Sequence, residues 1–133
     1  MFSIRALIVL ATTATLLSCG SQKSSNRNLT NSIESTLGAE YSTEKNSSGN
    51  LLLAWKLENN NETPVLKYAI WDLESDEKIY SGSAIRGKVT WIDEINIEVY
   101  DYPGIIDEAS PLYKYKINIR TKVKTAIHEN EKF

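Results

Sequence analysis

A single cysteine, Cys19, and a single histidine, His128, stand in this chain of 133 residues, and each scarcity closes off a class of chemistry. One thiol allows no internal disulfide framework and no cysteine-based metal site. The lone histidine falls in a polar C-terminal tail, HENEKF, so a Ser-His-Asp triad or a histidine metal centre would have to be built on a chain terminus, a poor place to hold catalytic geometry. No Gly-rich phosphate cradle of the Walker type is present. Long hydrophobic runs are missing too. The longest, Ala6 to Leu17, covers twelve positions, short of the about 20 needed to cross a ~30 Å hydrocarbon core. Nor is there a basic excess: the formal net charge is −2, which argues against nucleic acid as a partner, because phosphate binding calls for a positive surface. The inventory of nucleophile, base and metal ligand is nearly empty, and the expectation is a non-enzymatic protein without a cofactor.

What is present begins with Arg5, the only basic residue near the start, followed by the uncharged run Ala6 to Leu17 and then Ser18-Cys19-Gly20. A charged n-region, a short apolar h-region and small residues at the cleavage point make a signal peptide. The four residues Leu16-Leu17-Ser18-Cys19 resemble the lipobox of the bacterial lipoprotein family: apolar at −3, tolerant at −2, small at −1, then cysteine. The resemblance covers about the first twenty residues. It implies that Cys19 carries a thioether-linked diacylglycerol, that residues 1–18 are removed and that the new N-terminus is acylated. Two or three acyl chains at ~0.8 kcal/mol per buried methylene make such an anchor effectively permanent. A plain secretory signal with an incidental cysteine is the competing reading. Removing the first 18 of 133 residues leaves 115, enough for one domain. It also removes one basic residue and no acid, taking the charge from −2 to −3.

Residues 19–28 read as the lipidated cysteine and a flexible tether, since GSQKSSNRN is small, polar and aperiodic. Leu29, Ile33 and Leu37 recur every fourth residue, Asn31 and Glu34 are spaced like a capping pair, and Gly38 follows, so a short helix is expected. An edge strand is expected after Tyr41, before the turn cluster Asn46-Ser47-Ser48-Gly49-Asn50. The pattern then switches to period two. Leu51, Leu53, Trp55 and Leu57 share a face, as do Leu66, Tyr68 and Ile70, and likewise Ile95, Ile97 and Val99. Further strands fall at 78–83 and 88–92. The final one, Leu112 to Thr125, is expected to run unbroken, with Tyr113, Tyr115, Ile117, Ile119 and Val123 inward and Lys114, Lys116, Asn118, Arg120, Lys122 and Lys124 outward. Short connections make sequence neighbours sheet neighbours. The expected fold is mainly β: an antiparallel meander of about six strands closing as a sandwich or half-open barrel, or covered by the N-terminal helix. The single β-rich domain spans 29–125, with a polar tail at 126–133. Val89 to Ile97 also resembles part of a β-propeller blade, but a closed propeller needs about four blades and the chain is too short.

Candidate sites follow from the turns and the aromatics. Asp72, Glu74, Asp76 and Glu77 bunch at one turn without the glycine or closing bidentate glutamate of a calcium loop, and read as a hydrophilic turn. Asp93, Glu94, Asp101, Asp107 and Glu108 are carboxylates enough for a glycosidase pair, yet nothing in their spacing sets a separation. The basic row of the last strand faces two readings: a patch for acidic headgroups or glycans, or a solvated face paired with acids such as Glu98. Tyr102-Pro103-Gly104 fits a type II turn and opens the long connection PGIIDEASP. There Ile105 and Ile106 would form a partner-binding tip if exposed, or a plug if folded back. Trp71 and Tyr100, if outside the core, would make a stacking platform for sugars; otherwise they are core and cross-strand aromatics. The resulting expectation is a lipid-anchored envelope domain that binds another envelope protein, with a small-ligand or glycan binder as the alternative.

Overall fold

A computed structural model describes residues 22–60, 63–102 and 113–127. The elements are α1 (Gln22–Leu37), β1 (Ser42–Lys45), β2 (Leu51–Asn60), β3 (Thr63–Asp72), β4 (Glu77–Ile85), β5 (Lys88–Trp91), β6 (Asn96–Tyr100), β7 (Lys114–Asn118) and β8 (Lys124–Ala126). The strands make two four-stranded antiparallel meanders, β1-β2-β3-β4 and β5-β6-β7-β8. They share one core, formed by Leu51, Leu53, Leu66, Tyr68, Ile70 and Ala84 of the first sheet and Val89, Ile97, Val99, Tyr115, Ile117 and Ile119 of the second. The fold is therefore a β-sandwich with one helix, one of the closures that the period-two pattern left open.

The helix is longer than the apolar spacing indicates. It starts at Gln22 rather than Leu29, so most of the segment read as a flexible tether is helical, and Asn31 and Glu34 lie inside the helix instead of capping it. Polarity alone does not break a helix; glycine or proline does, and none occurs between Gln22 and Leu37. Gly38 ends it as expected, with φ of +81° and its N–H donating to the Glu34 carbonyl at 2.8 Å.

The first sheet is buried on both faces. Its outward side carries Leu52, Ala54, Ala69 and Trp71, which pack with Ile33 and Leu37 of α1 in a second core. The four consecutive residues Leu51 to Ala54 are all buried, the mark of a strand covered on both sides. Trp71 is 0% exposed, and its indole N–H donates to Ser32 Oγ at 2.9 Å. The expectation that Trp71 offers a surface platform is thus corrected: it faces outward from the sandwich, but the helix lies over it.

The expected single strand from Leu112 to Thr125 is a hairpin. Asn118 Oδ1 accepts the backbone N–H of Arg120 and of Thr121, both at 3.0 Å, while the Lys122 N–H donates to the Asn118 carbonyl at 2.7 Å. This asparagine turn reverses the chain. Val123 is consequently 58% exposed instead of inward. The domain also runs past residue 125: Ala126 belongs to β8, and buried Ile127 donates its N–H to the Lys114 carbonyl at 2.9 Å.

Among the described residues, the hydrogen bonds that join the sheets include two grouped ties besides the bond from the Trp91 indole N–H to the Glu44 carbonyl at 3.1 Å. At the crossover from β4 to β5, Asp101 Oδ1 accepts the Ile85 N–H at 2.8 Å, and the Tyr102 N–H donates to the Ile85 carbonyl at 2.8 Å. Gly87 is required there, because a Cβ would stand 2.5 Å from the Tyr100 carbonyl oxygen. At the other tie, buried Asn46 donates through Nδ2 to the Glu94 carbonyl at 2.9 Å. The Glu94 carboxylate accepts from Ser47 Oγ and, at 3.1 Å, from the Ser48 N–H.

These bonds hold the Glu94 carboxyl below its ordinary value of 4.5, the Ser47 bond first. A depressed folded-state value means the tie stabilises fully above 4.5 and is lost as pH falls through the lowered value. Thermal melts of Glu94→Gln should therefore lie below those of the parent at neutral pH and converge with them in acid. A gap that persists unchanged into strong acid would assign the effect to packing rather than charge.

Candidate binding face

Alternation and register place the outer face of the second sheet. Lys88, Tyr100 and Lys114 form one cross-strand row, and Thr90, Glu98, Lys116 and Thr125 form the next. Lys114 Nζ lies 3.2 Å from Glu98 Oε1 and 5.1 Å from the centre of the Tyr100 ring. Contact with Tyr100 first, and Glu98 second, raises the affinity of Lys114 for its proton. The ammonium is thus fixed beside the ring, although an exposed pair of this kind adds little stability.

Tyr100 begins a ladder of rings. Tyr102 stacks on it with centroids 6.0 Å apart, and Tyr113 stacks on Tyr102 at 5.9 Å, both pairs 17° from parallel. Tyr102, in the middle, is 44% exposed. The Tyr113 hydroxyl is buried with no hydrogen-bond partner among the described residues. In sequence, Tyr102 and Tyr113 bracket the connection that carries Ile105 and Ile106, both of which lie outside the described residues, as does Cys19.

Of the four residues put forward from sequence for binding, Ile105, Ile106, Trp71 and Tyr100, Tyr100 alone is described on this face. Trp71 is across the molecule, under α1, so the two do not form one platform. Tyr102 and Tyr113 were missed; the signal was the i, i+2 spacing of Tyr100 and Tyr102 and a third tyrosine on the return strand. The expected basic row divides. Lys114 and Lys116 face outward, Arg120 and Lys122 sit at the turn, and Lys124 is in register with inward Ile117, its Nζ 3.5 Å from the Tyr115 ring centre.

Two of the candidate carboxylates, Asp72 and Asp93, hold turns. Asp72 Oδ1 accepts the Glu74 N–H at 2.8 Å and the Ser75 N–H at 3.3 Å. Asp93 Oδ1 accepts the N–H groups of Ile95 and Asn96, both at 2.9 Å, and the Ile95 bond is the main reason its carboxyl lies below the ordinary value. Asp107, Glu108 and His128 are outside the described residues. Among the described residues no group of three or more His, Cys, Asp or Glu is gathered to hold a metal ion.

What the face offers chemically follows from how its rings lie. Tyr102 has a neighbouring ring toward each side, and Tyr100 has a lysine over it. The ladder therefore presents ring edges and hydroxyls, suited to hydrogen bonds and side-chain contacts, rather than an open ring face on which a sugar stacks. Comparison with protein-family models, with curated proteins and with solved structures finds no match for this chain.

Proposed function

We propose that this chain is a lipoprotein of the bacterial cell envelope, anchored through Cys19, whose domain binds another envelope protein without catalysing a reaction. The binding surface is the Tyr100-Tyr102-Tyr113 ladder with Lys88 and Lys114 beside it, extended by Ile105 and Ile106 on the adjoining connection. The observation that carries this reading is the ladder itself, with Tyr102 nearly half exposed at its centre. Tyrosines supply large, stiff contact area at small entropic cost and are enriched where proteins meet. Flanking lysines give the surface a charge to match an acidic partner. The glycan alternative is weakened by the burial of Trp71.

In-cell crosslinking followed by pull-down from native membranes, with a C-terminal tag, tests the proposal. The parent should capture one stoichiometric envelope protein. Tyr102→Ser combined with Ile105→Ser and Ile106→Ser should lower that capture about tenfold, the loss of one central contact. Equal capture by the parent and the triple variant, at equal abundance in the membrane, would remove this surface from consideration.

A further inference from the structure

The polar atoms around the tyrosine ladder are not equally available to a partner. Glu98 holds Lys114, and Asp101 Oδ1 holds the Ile85 N–H at 2.8 Å, so the carboxylates beside the ladder are engaged within the domain. Lys114 covers Tyr100, and the Tyr113 hydroxyl is buried. Two donors beside the rings are free. The Tyr102 hydroxyl makes no hydrogen bond with the described residues, and Lys88, set next to Tyr100 by the β5-β6 register, has no ion-pair partner among them. What the ladder turns outward is therefore ring edges and hydrogen-bond donors, with its neighbouring carboxylates already occupied.

That inventory selects among the backbone shapes a partner can present. A partner helix keeps its carbonyls bonded within itself. A partner strand brings N–H groups as well as carbonyls and adds to a sheet edge, whereas Tyr100 projects from a sheet face. A proline-rich segment in the polyproline II form presents carbonyls that no internal bond occupies, and its prolines carry no N–H to satisfy. Its prolyl rings pack on aromatic side chains, and its extended shape is set before binding, which lowers the ordering cost. The length fits too. The three ring centres span at most about 12 Å, about four residues at the ~3.1 Å rise of that helix.

We propose that the ladder binds a proline-rich segment of the partner protein in the polyproline II form, with an acidic residue beside the prolines facing Lys88 at the Tyr100 end. This inference rests on the protein-binding reading and names the part of the partner that is held. Lys88 and Lys114 lie in one cross-strand row with Tyr100, which sets the end at which the acidic residue is met.

Fluorescence anisotropy of a fluorescein-labelled peptide, one glutamate followed by six prolines, titrated with the full chain, tests the site. Saturable binding is expected. A peptide with alternating glycine and alanine in place of the prolines should bind at least about tenfold more weakly, because its backbone must be ordered on binding. Tyr102→Ser should weaken the proline peptide about tenfold, and Tyr102→Phe, which keeps the ring and loses the hydroxyl, should weaken it less. Lys88→Gln should cost about threefold against the glutamate peptide, the scale of an exposed charge pair, and nothing against a peptide with glutamine in that place. The bond of Tyr102 to Ile85 runs through its backbone N–H, so Tyr102→Ser should keep the fold, which thermal melting checks. Three results would each overturn the proposal: no saturable binding, equal binding of the glycine-alanine peptide, or affinity unchanged in Tyr102→Ser. Capture of an envelope protein that needs Tyr102, together with no binding of the proline peptide, would remove this inference and keep the protein-binding reading. Absence of both would remove the two together.

Discussion

Trp71→Ala should destabilise the domain by about 3–5 kcal/mol, the usual cost of truncating a fully buried large aromatic side chain. The indole is completely enclosed between the first sheet and α1, among Ile33, Leu37, Leu52, Ala54 and Ala69. Little there can collapse to fill the space. Two of its neighbours are already alanines, and the helix is joined to the sheet mainly through this one cluster. The substitution also strips Ser32 of the donor that its hydroxyl accepts. Against a typical total stability of about 5–15 kcal/mol, the loss is at least about a fifth of the whole. Urea unfolding followed by circular dichroism gives the number, and the helical signal should fall before the sheet signal as α1 comes away. A change under about 1 kcal/mol would mean that the helix and sheet do not form one packed unit around Trp71.

The second large effect concerns location. Cys19→Ala should move the protein from the membrane fraction to the soluble fraction and abolish incorporation of labelled palmitate. The apolar run before Cys19 is too short to act as a stable span, and no helix among the described residues is long and apolar enough to cross a membrane. On the lipoprotein reading, attachment therefore rests on the acyl chains alone. Because α1 starts three positions after Cys19, three extended residues would hold the start of the helix within about 10 Å of the modified cysteine. The domain would stand much closer to the headgroups than a ten-residue flexible tether allows. Unchanged membrane association of the variant, with no palmitate label in the parent, would overturn the anchor.

Much of the architecture was legible residue by residue. The alternation of Leu51, Leu53 and Trp55, of Leu66, Tyr68 and Ile70, and of Ile97 and Val99 set the inward faces, because a strand presents every second side chain to one side whatever its neighbours are. Gly38 ended the helix for an equally local reason. Other features needed the third dimension. Nothing in the pattern of β3 says whether the face bearing Trp71 meets water or a helix, since alternation separates two faces without identifying what covers them. The extent of α1 was hidden because Ser, Asn and Lys suit a tether and a helix alike, and its packing against the first sheet favours the helix. The reversal at Asn118 was hidden because one side-chain oxygen accepting two backbone N–H groups can turn a chain whose alternation continues through Ile119.

The candidate sites divide along the same line. Tyr100 could be placed on an outward face from its own strand, but the ladder depends on Tyr113, which stacks on Tyr102 from the far side of a long connection. Periodicity and turn chemistry act over a few residues, and through them the sequence alone determined which side chains share a face and where the helix stops. Which faces are covered, and which rings and charges meet, is a matter of contacts between residues distant in the chain. Only the tertiary structure decided those.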